Sequence, residues 1–244
     1  MTFIFNFVHL FNCNFHIEHE NHIQNKSLAN DFIMVLSSPI MTLKNVKSSL
    51  NKITKTLGAV QDSREFLLKN TREIIILCSK SIIAVHKGDL KTGKNNLKQA
   101  DLLLKKYKKK ATGQLRRYLI TPEQEFVEAA CLIAIVEKKE LPSDKKLGVM
   151  PESYVLGLLD CVGELKRRVF DKIRIGEIDE ANKIFEVMEE LYLQLYTFSM
   201  YDKVVKEARR KIDVNRILVD DVRSAITEEK RRSELIKTLK KLEK

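Results

Sequence analysis

Residues 123–136 read EQEFVEAACLIAIV, an apolar run in which two glutamates stand one helical turn apart. Thr121, immediately before this run, suits a helix N-cap, and the proline that follows it suits the first helical position. We therefore predict a buried helix from Thr121 to about Lys139. Because residues i and i+3 of a helix are neighbours, Glu125 and Glu128 lie side by side on an otherwise apolar surface.

Helical periodicity extends on both sides of this run, from Thr42 to the end of the chain. Apolar residues recur at spacings of three and four, and Gly58 and Gly176 stand where helices are predicted to end. Eight Gly and four Pro in 244 residues are too few for the turns of a β-sandwich or barrel. We predict an all-α protein with seven helices in one antiparallel bundle. The predicted helices span about 42–57, 62–87, 89–109, 121–139, 151–175, 179–198 and 201 to the C-terminus.

A second acidic pair lies in YVLGLLDCVGELKRR, residues 154–168, where Asp160 and Glu164 are one helical turn apart. Carboxylates at this density on apolar helices repel one another and lose hydration unless a cation neutralises them. Oxygen ligands without a neighbouring His or Cys suit Mg²⁺ or Mn²⁺ better than Zn²⁺. The spacing leaves a second interpretation open, in which the acids face solvent or pair with Arg167 and Arg168.

The net charge of the chain indicates which kind of partner it binds. The formal net charge is +11, and residues 1–40 are net acidic, so residues 41–244 carry the whole positive excess. This excess favours an anionic partner, with nucleic acid ahead of membrane, although the solvated lysines of a basic soluble protein produce the same count. The cysteines lack metal-ligand spacing, so we expect reduced residues in a cytoplasmic protein. They are Cys13, Cys78, Cys131 and Cys161.

Residues 1–40 differ in composition from the rest of the chain, since they hold six of the eleven Phe and four of the five His. Their apolar stretch FIFNFVHLF is too short for a membrane span and lacks the basic start of a signal peptide. We therefore predict neither secretion nor membrane insertion. We interpret residues 1–40 as an atypical leader, disordered or an upstream start extension, and residues 41–244 as the helical domain.

Four stretches of this sequence resemble the translin family, and they occur in the family's order. They are REFLLKNTREIIILCSKSIIAVHKGD (64–89), EQEFVEAACL (123–132), YVLGLLDCVGELKRRVFDKIRIGEID (154–179) and RRKIDVNRILVDDVR (209–223). The strongest motif is YxxGxxDxxGELxR, which begins at Tyr154. The resemblance covers the chain from about residue 42 onward. It implies a seven-helix fold that assembles into a hollow, roughly octameric particle and binds single-stranded RNA and DNA.

The acidic residues distinguish the two branches of that family. Translin itself binds nucleic acid, whereas translin-associated factor X carries an acidic, metal-dependent ribonuclease site that faces the interior of the particle. The QE(Y/F)VEA and DxxGEL motifs of the nuclease branch are matched here by Glu125, Glu128, Asp160 and Glu164. The short loop LPSDKKLGVM resembles compact prokaryotic or archaeal members, which leaves both a homo-oligomer and a hetero-oligomer open. Of the two, we expect a single self-assembling chain.

The resemblance implies a Mg²⁺- or Mn²⁺-dependent endoribonuclease acting on single-stranded RNA. The four acids would hold one or two ions that activate water for attack on a phosphodiester, and one acid would take the proton of that water. We expect Arg72, Lys80 and Arg167 to contact phosphates or, equally, to pair with the acids. Glu123 is expected to complement the helix dipole. The alternative is a non-catalytic particle that binds single-stranded RNA or DNA, in which the acids only tune assembly.

Overall fold

The computed structural model describes residues 43–242, so the predicted leader and Cys13 lie outside the described residues. This range contains seven α-helices, two 3-10 helices and no strand, which confirms the all-α prediction. None of these described helices has the length and apolar content needed to cross a bilayer. The helices are α1 (Lys44–His86), α2 (Leu90–Lys108), α3 (Ile120–Val136), α4 (Asp144–Leu147), α5 (Pro151–Arg174), α6 (Ile178–Tyr196) and α7 (Ala208–Leu242).

Helix α1 passes through Gly58 without a break, so the predicted helix end at this glycine is wrong. A glycine inside a helix costs only about 1 kcal/mol relative to alanine, and the helix formers on both sides of it outweigh that cost. The described residues divide at this point into two units, 43–57 and 58–242. In the described part of the first unit, the predicted apolar stripe of α1 is present but exposed to solvent. Its residues are Leu43, Val46, Leu50, Ile53 and Leu57.

Four helices make the most extensive contacts in the core of the second unit, to which α1 and α2 also contribute buried residues. Helix α3 packs on α5, α5 packs on α6, and both α5 and α6 pack on α7. Helices α5 and α6 are joined by a three-residue turn, in which Gly176 adopts a positive φ of 80°, and they are therefore antiparallel. Cys78, Cys131 and Cys161 are buried and carry free thiols, as the sequence predicted.

Two helix starts differ from the predictions. A 3-10 helix, Gly113–Leu119, leads directly into α3, so Thr121 lies inside the first turn of α3 and does not cap it. Helix α7 begins at Ala208 rather than near residue 201, because a second 3-10 helix and a turn with positive φ at Glu207 come first. The predicted linker after α3 contains the short helix α4, which Ser143 caps by accepting a hydrogen bond from the Lys146 N–H.

Candidate functional site

The two acidic pairs face each other where α5 crosses α3. Gly157 makes this crossing possible, because a Cβ atom built on it would lie 2.5 Å from the Gln124 carbonyl oxygen and 2.6 Å from the Cβ of Val127. The backbones of the two helices therefore approach more closely than any side chain at position 157 permits. Asp160 follows Gly157 by about one turn, and this places it opposite Glu125 and Glu128 on α3.

All four acids predicted from the sequence line one pocket of about 530 Å³ in the second unit. Helix α3 supplies Glu125 and Glu128, and α5 supplies Asp160 and Glu164. The structure thus brings together residues that are up to 39 positions apart in the chain. The remaining lining residues come from α1, α3, α5 and α7. They are Ser79, Ile82, Ile83, Gln124, Arg167 and Lys211.

Burial and mutual repulsion perturb the acids of α3. Glu128 is only 9% exposed, and desolvation, followed by the charges of Asp160 and Glu125, raises its pKa to about 8. The pKa of Glu125 is also raised, first by desolvation and then by Asp160, while Lys211 opposes the shift. Behind them, burial and the charges of Glu125 and Glu128 raise the pKa of the Cys78 thiol, so this cysteine is neutral. A cation in the pocket would relieve this repulsion.

The acids of α5 have hydrogen-bond partners on other elements. Asp160 accepts one hydrogen bond from the ammonium of Lys211 on α7 and another from the side-chain amide of Gln124 on α3. Glu164 Oε2 lies 2.5 Å from Nε2 of His86, at the end of α1, and 4.0 Å from a guanidinium nitrogen of Arg167. Two of the four acids are therefore already paired with groups of the protein itself.

The pocket fits a hard divalent cation by the chemistry of its lining, which includes four carboxylates and no Cys or His side chain. The positive charge of the cation would also oppose the two causes of the raised pKa of Glu128, which are desolvation first and then the neighbouring negative charges. Within residues 43–242, however, no three acidic, His or Cys side chains are close enough together to enclose a metal ion. Protein groups instead occupy both oxygens of Asp160, through Lys211 and Gln124, and one oxygen of Glu164, through His86.

The three predicted phosphate-binding residues do not lie together. Arg167 lines the acidic pocket, with 55% of its side chain exposed, and it takes up the predicted alternative of pairing with an acid, Glu164. Arg72 and Lys80 lie on the exposed surface of α1 and do not line the pocket. Their role in nucleic-acid binding stays a prediction.

Three residues that form hydrogen bonds with the acids were not predicted as site residues: Gln124, His86 and Lys211. Lys211 is one of 44 Lys and Arg residues, and its spacing alone does not set it apart. The one feature that indicates an inward position for Lys211 is that it stands four residues before Asn215, which lies on the buried stripe of α7. His86 is the one histidine outside residues 1–40, and it is the last residue of α1, the helix that also supplies Ser79, Ile82 and Ile83 to the pocket.

Glu123 lies in the first turn of α3, where it was expected to complement the helix dipole. It has a larger structural role, because it is only 1% exposed and it accepts a 2.8 Å hydrogen bond from the backbone N–H of Met150. Its other carboxylate oxygen lies 3.2 Å from the ammonium of Lys108. Glu123 therefore ties the start of α5 to α2 and α3, and it does not line the acidic pocket.

Comparison with known proteins identifies the family. The Translin family profile matches residues 62–226. An uncharacterised protein of Methanocaldococcus jannaschii, MJ0175, is 37% identical over 174 residues, which cover 70% of this chain and 78% of that protein. The structure of an AfC3PO–duplex RNA complex is similar with a TM-score of 0.70 and 32% identity, over 75% of this chain and 97% of the other.

Two further solved structures share the fold. The AfC3PO crystal structure has a TM-score of 0.69 and 33% identity, over 75% of this chain and 98% of that one. The crystal structure of apo-NeC3PO has a TM-score of 0.62 at 22% identity, over 79% of this chain and 100% of that one. The family profile spans more than half of the chain, and the Methanocaldococcus jannaschii relative is 37% identical to it, so this chain belongs to the translin family.

Proposed function

We propose that this protein binds RNA and hydrolyses its phosphodiester bonds in the acidic pocket with the help of Mg²⁺ or Mn²⁺. The observation that carries the proposal is the meeting of Glu125, Glu128, Asp160 and Glu164 in one pocket. Placing four carboxylates together where two helices cross costs folding free energy, because each loses hydration and repels the others. Packing of the two helices does not require them. The similarity to AfC3PO, which is described in complex with duplex RNA, supports RNA as the ligand.

The residues of the pocket have distinct roles in this proposal. The four acids would hold the divalent ion, whose chemistry is to activate water and neutralise charge on a phosphate. Arg167 lies at the pocket and is more than half exposed, so it can bind a phosphate oxygen of the strand that enters. Gln124 holds Asp160 in place through its side-chain amide. The apolar packing of α3 fixes the position of Glu125 and Glu128.

Assembly is part of the proposal. We propose a homo-oligomer of about eight copies, as the translin family resemblance implies, with the acidic pocket facing its interior. The exposed apolar stripe at the start of α1 supports association, because uncovered apolar surface of this kind is typical of interfaces. Light scattering coupled to size exclusion measures the copy number. A stable monomer would exclude an enclosed chamber.

A second candidate function is RNA binding without catalysis. It is favoured by the pairing of Asp160 with Lys211 and by the lack of three convergent metal ligands within the described residues. In this case the acids and Lys211 would form a structural ion-pair network, and the positive charge of the domain would supply the affinity for RNA.

One experiment separates the two functions. Wild type and an Asp160→Asn, Glu128→Gln variant are incubated with labelled single-stranded and duplex RNA, with Mg²⁺, with Mn²⁺ and with EDTA. A matched control, Asp213→Asn with Glu190→Gln, makes the same two types of substitution at exposed positions. Nuclease function requires cleavage by wild type and control in metal, and none by the pocket variant or in EDTA.

Two results would contradict this expectation. If wild type binds RNA but leaves it intact with both metals, the function is binding alone. If the pocket variant cleaves RNA as fast as wild type, the activity comes from a different site or from a contaminant.

A further inference from the structure

Lys211 is the cation most closely engaged with the acidic pocket. Its side chain is only 19% exposed, and its ammonium donates a hydrogen bond to Asp160 Oδ1. The other cation that lines the pocket, Arg167, is far more exposed and lies 4.0 Å from its acid. Within residues 43–242, no side chain donates a hydrogen bond to Glu125 or Glu128, so Lys211 provides the direct charge neutralisation at the α3–α5 crossing.

The position of Lys211 is set by a buried contact on the same face of α7. Asn215 follows Lys211 by four residues, is 4% exposed, and donates a 2.8 Å hydrogen bond to the backbone oxygen of Leu159. Leu159 is the residue immediately before Asp160. This bond fixes the register of α7 against α5, because a shift of α7 would leave the amide of Asn215 without a partner. The ammonium is thereby aligned with Asp160.

An ammonium and a divalent metal ion compete for the same carboxylate. While Lys211 holds Oδ1 of Asp160, the side-chain amide of Gln124 occupies Oδ2, and no three ligands converge within the described residues. A lysine side chain has four flexible methylene groups and three donors, so it can leave Asp160 without a change in the backbone. Release of the ammonium would turn Asp160 into a ligand and place a free cation beside the pocket.

We propose that Lys211 is the internal counter-cation of this pocket: it neutralises Asp160 before metal binds and must be displaced from it for metal to enter. The inference rests on the proposed function for the identity of the metal. Lys211 acts here as a positioning residue, because it controls when Asp160 is available. It also lowers the metal affinity of the free protein, and a phosphate of bound RNA would provide a new partner for the displaced ammonium.

The test measures metal binding without RNA. Binding of Mn²⁺ to the full chain is followed through the loss of the electron paramagnetic resonance signal of free Mn²⁺. Lys211→Met removes the ammonium while keeping a side chain of similar length, and Lys211→Arg keeps the positive charge. Lys237→Met is the matched control, since it removes one charge from an exposed position of the same helix, about 39 Å away along the helix axis.

We expect Lys211→Met to bind Mn²⁺ about tenfold more tightly than wild type, the scale of one charge-assisted hydrogen bond. Lys211→Arg and Lys237→Met should bind as wild type does. Thermal unfolding supplies a second measurement: without metal, Lys211→Met should unfold at a lower temperature than wild type, and saturating Mn²⁺ should raise its unfolding temperature by more than it raises that of wild type. This comparison can be made even if the variant is less stable.

Equal or weaker Mn²⁺ binding by Lys211→Met would overturn the proposal, as would an absence of Mn²⁺ binding in every variant. A failure of the proposed nuclease function gives a different result from a failure of the counter-cation proposal. In that case, Lys211→Met binds Mn²⁺ more tightly than wild type, yet wild type leaves RNA intact, so the counter-cation role stands while catalysis does not.

Discussion

The two glycines of the DxxGEL region of α5 should respond in opposite ways to alanine. At Gly157 an added Cβ would lie 2.5 Å from a backbone oxygen and 2.6 Å from the Cβ of Val127, neither of which can rotate away. Such overpacking typically costs about 1–3 kcal/mol, and the better helix propensity of alanine returns about 1 kcal/mol. Because both obstructing atoms are rigid, we take the upper part of this range. Gly157→Ala should therefore destabilise the fold by about 1–2 kcal/mol.

Gly163 is the matched control on the same helix, because an added Cβ there meets no atom within 4 Å. Only the better helix propensity of alanine remains, so Gly163→Ala should stabilise the protein by about 0.5–1 kcal/mol. Thermal unfolding at one fixed protomer concentration measures both variants, with a shift of about 2–4 °C expected for each kcal/mol. A Gly157→Ala variant as stable as wild type would refute the close crossing of α3 and α5. Destabilisation by Gly163→Ala would show that another surface covers this position.

Two further predictions concern buried glutamates. Glu123→Ala leaves both the Met150 N–H and the Lys108 ammonium without their partner, so we expect urea unfolding to show a loss of about 2–3 kcal/mol in the free energy of unfolding. Glu123→Gln keeps an acceptor for Met150 and should lose roughly 1 kcal/mol. Equal losses in the two variants would contradict the hydrogen bond. Without metal, Glu128 keeps its proton up to a pKa of about 8 in the folded state but ionises near its ordinary value when unfolded, so stability should fall as pH rises from about 5 to 8. Unfolding temperatures across that range should fall more steeply for wild type than for Glu128→Gln, and parallel curves would show that Glu128 is not the source.

The sequence was sufficient for the class of fold and for most helices, because helix identity depends on local periodicity and end signals. Helix α5 runs from Pro151 to Arg174 and α6 starts after Gly176, as the proline and glycine indicated. The errors occurred where neighbouring structure overrides a local signal. Gly58 does not end α1 because nothing there forces the chain to turn, and Thr121 does not cap α3 because the preceding 3-10 helix already continues into it.

The candidate site was predictable in its acids but not in their partners. Glu125 with Glu128, and Asp160 with Glu164, are neighbours within their own helices, so spacing alone pairs them. Their meeting across α3 and α5 was expected from the family resemblance and depends on the close approach at Gly157. Lys211 and His86 contact Asp160 and Glu164 from helices that are distant in sequence from these acids, and such contacts produce no spacing pattern in the sequence.

By itself, the sequence determined that this protein is helical, that its domain is basic and that two helices each carry two acids on an apolar background, because these properties follow from composition and from a repeat of 3.6 residues. The tertiary structure decided which groups neutralise those acids. It placed the ammonium of Lys211 on Asp160 through the buried bond of Asn215, and it set His86 against Glu164. The physical reason is that the charge state of a buried carboxylate depends on every group within a few ångströms, whatever its position in the chain.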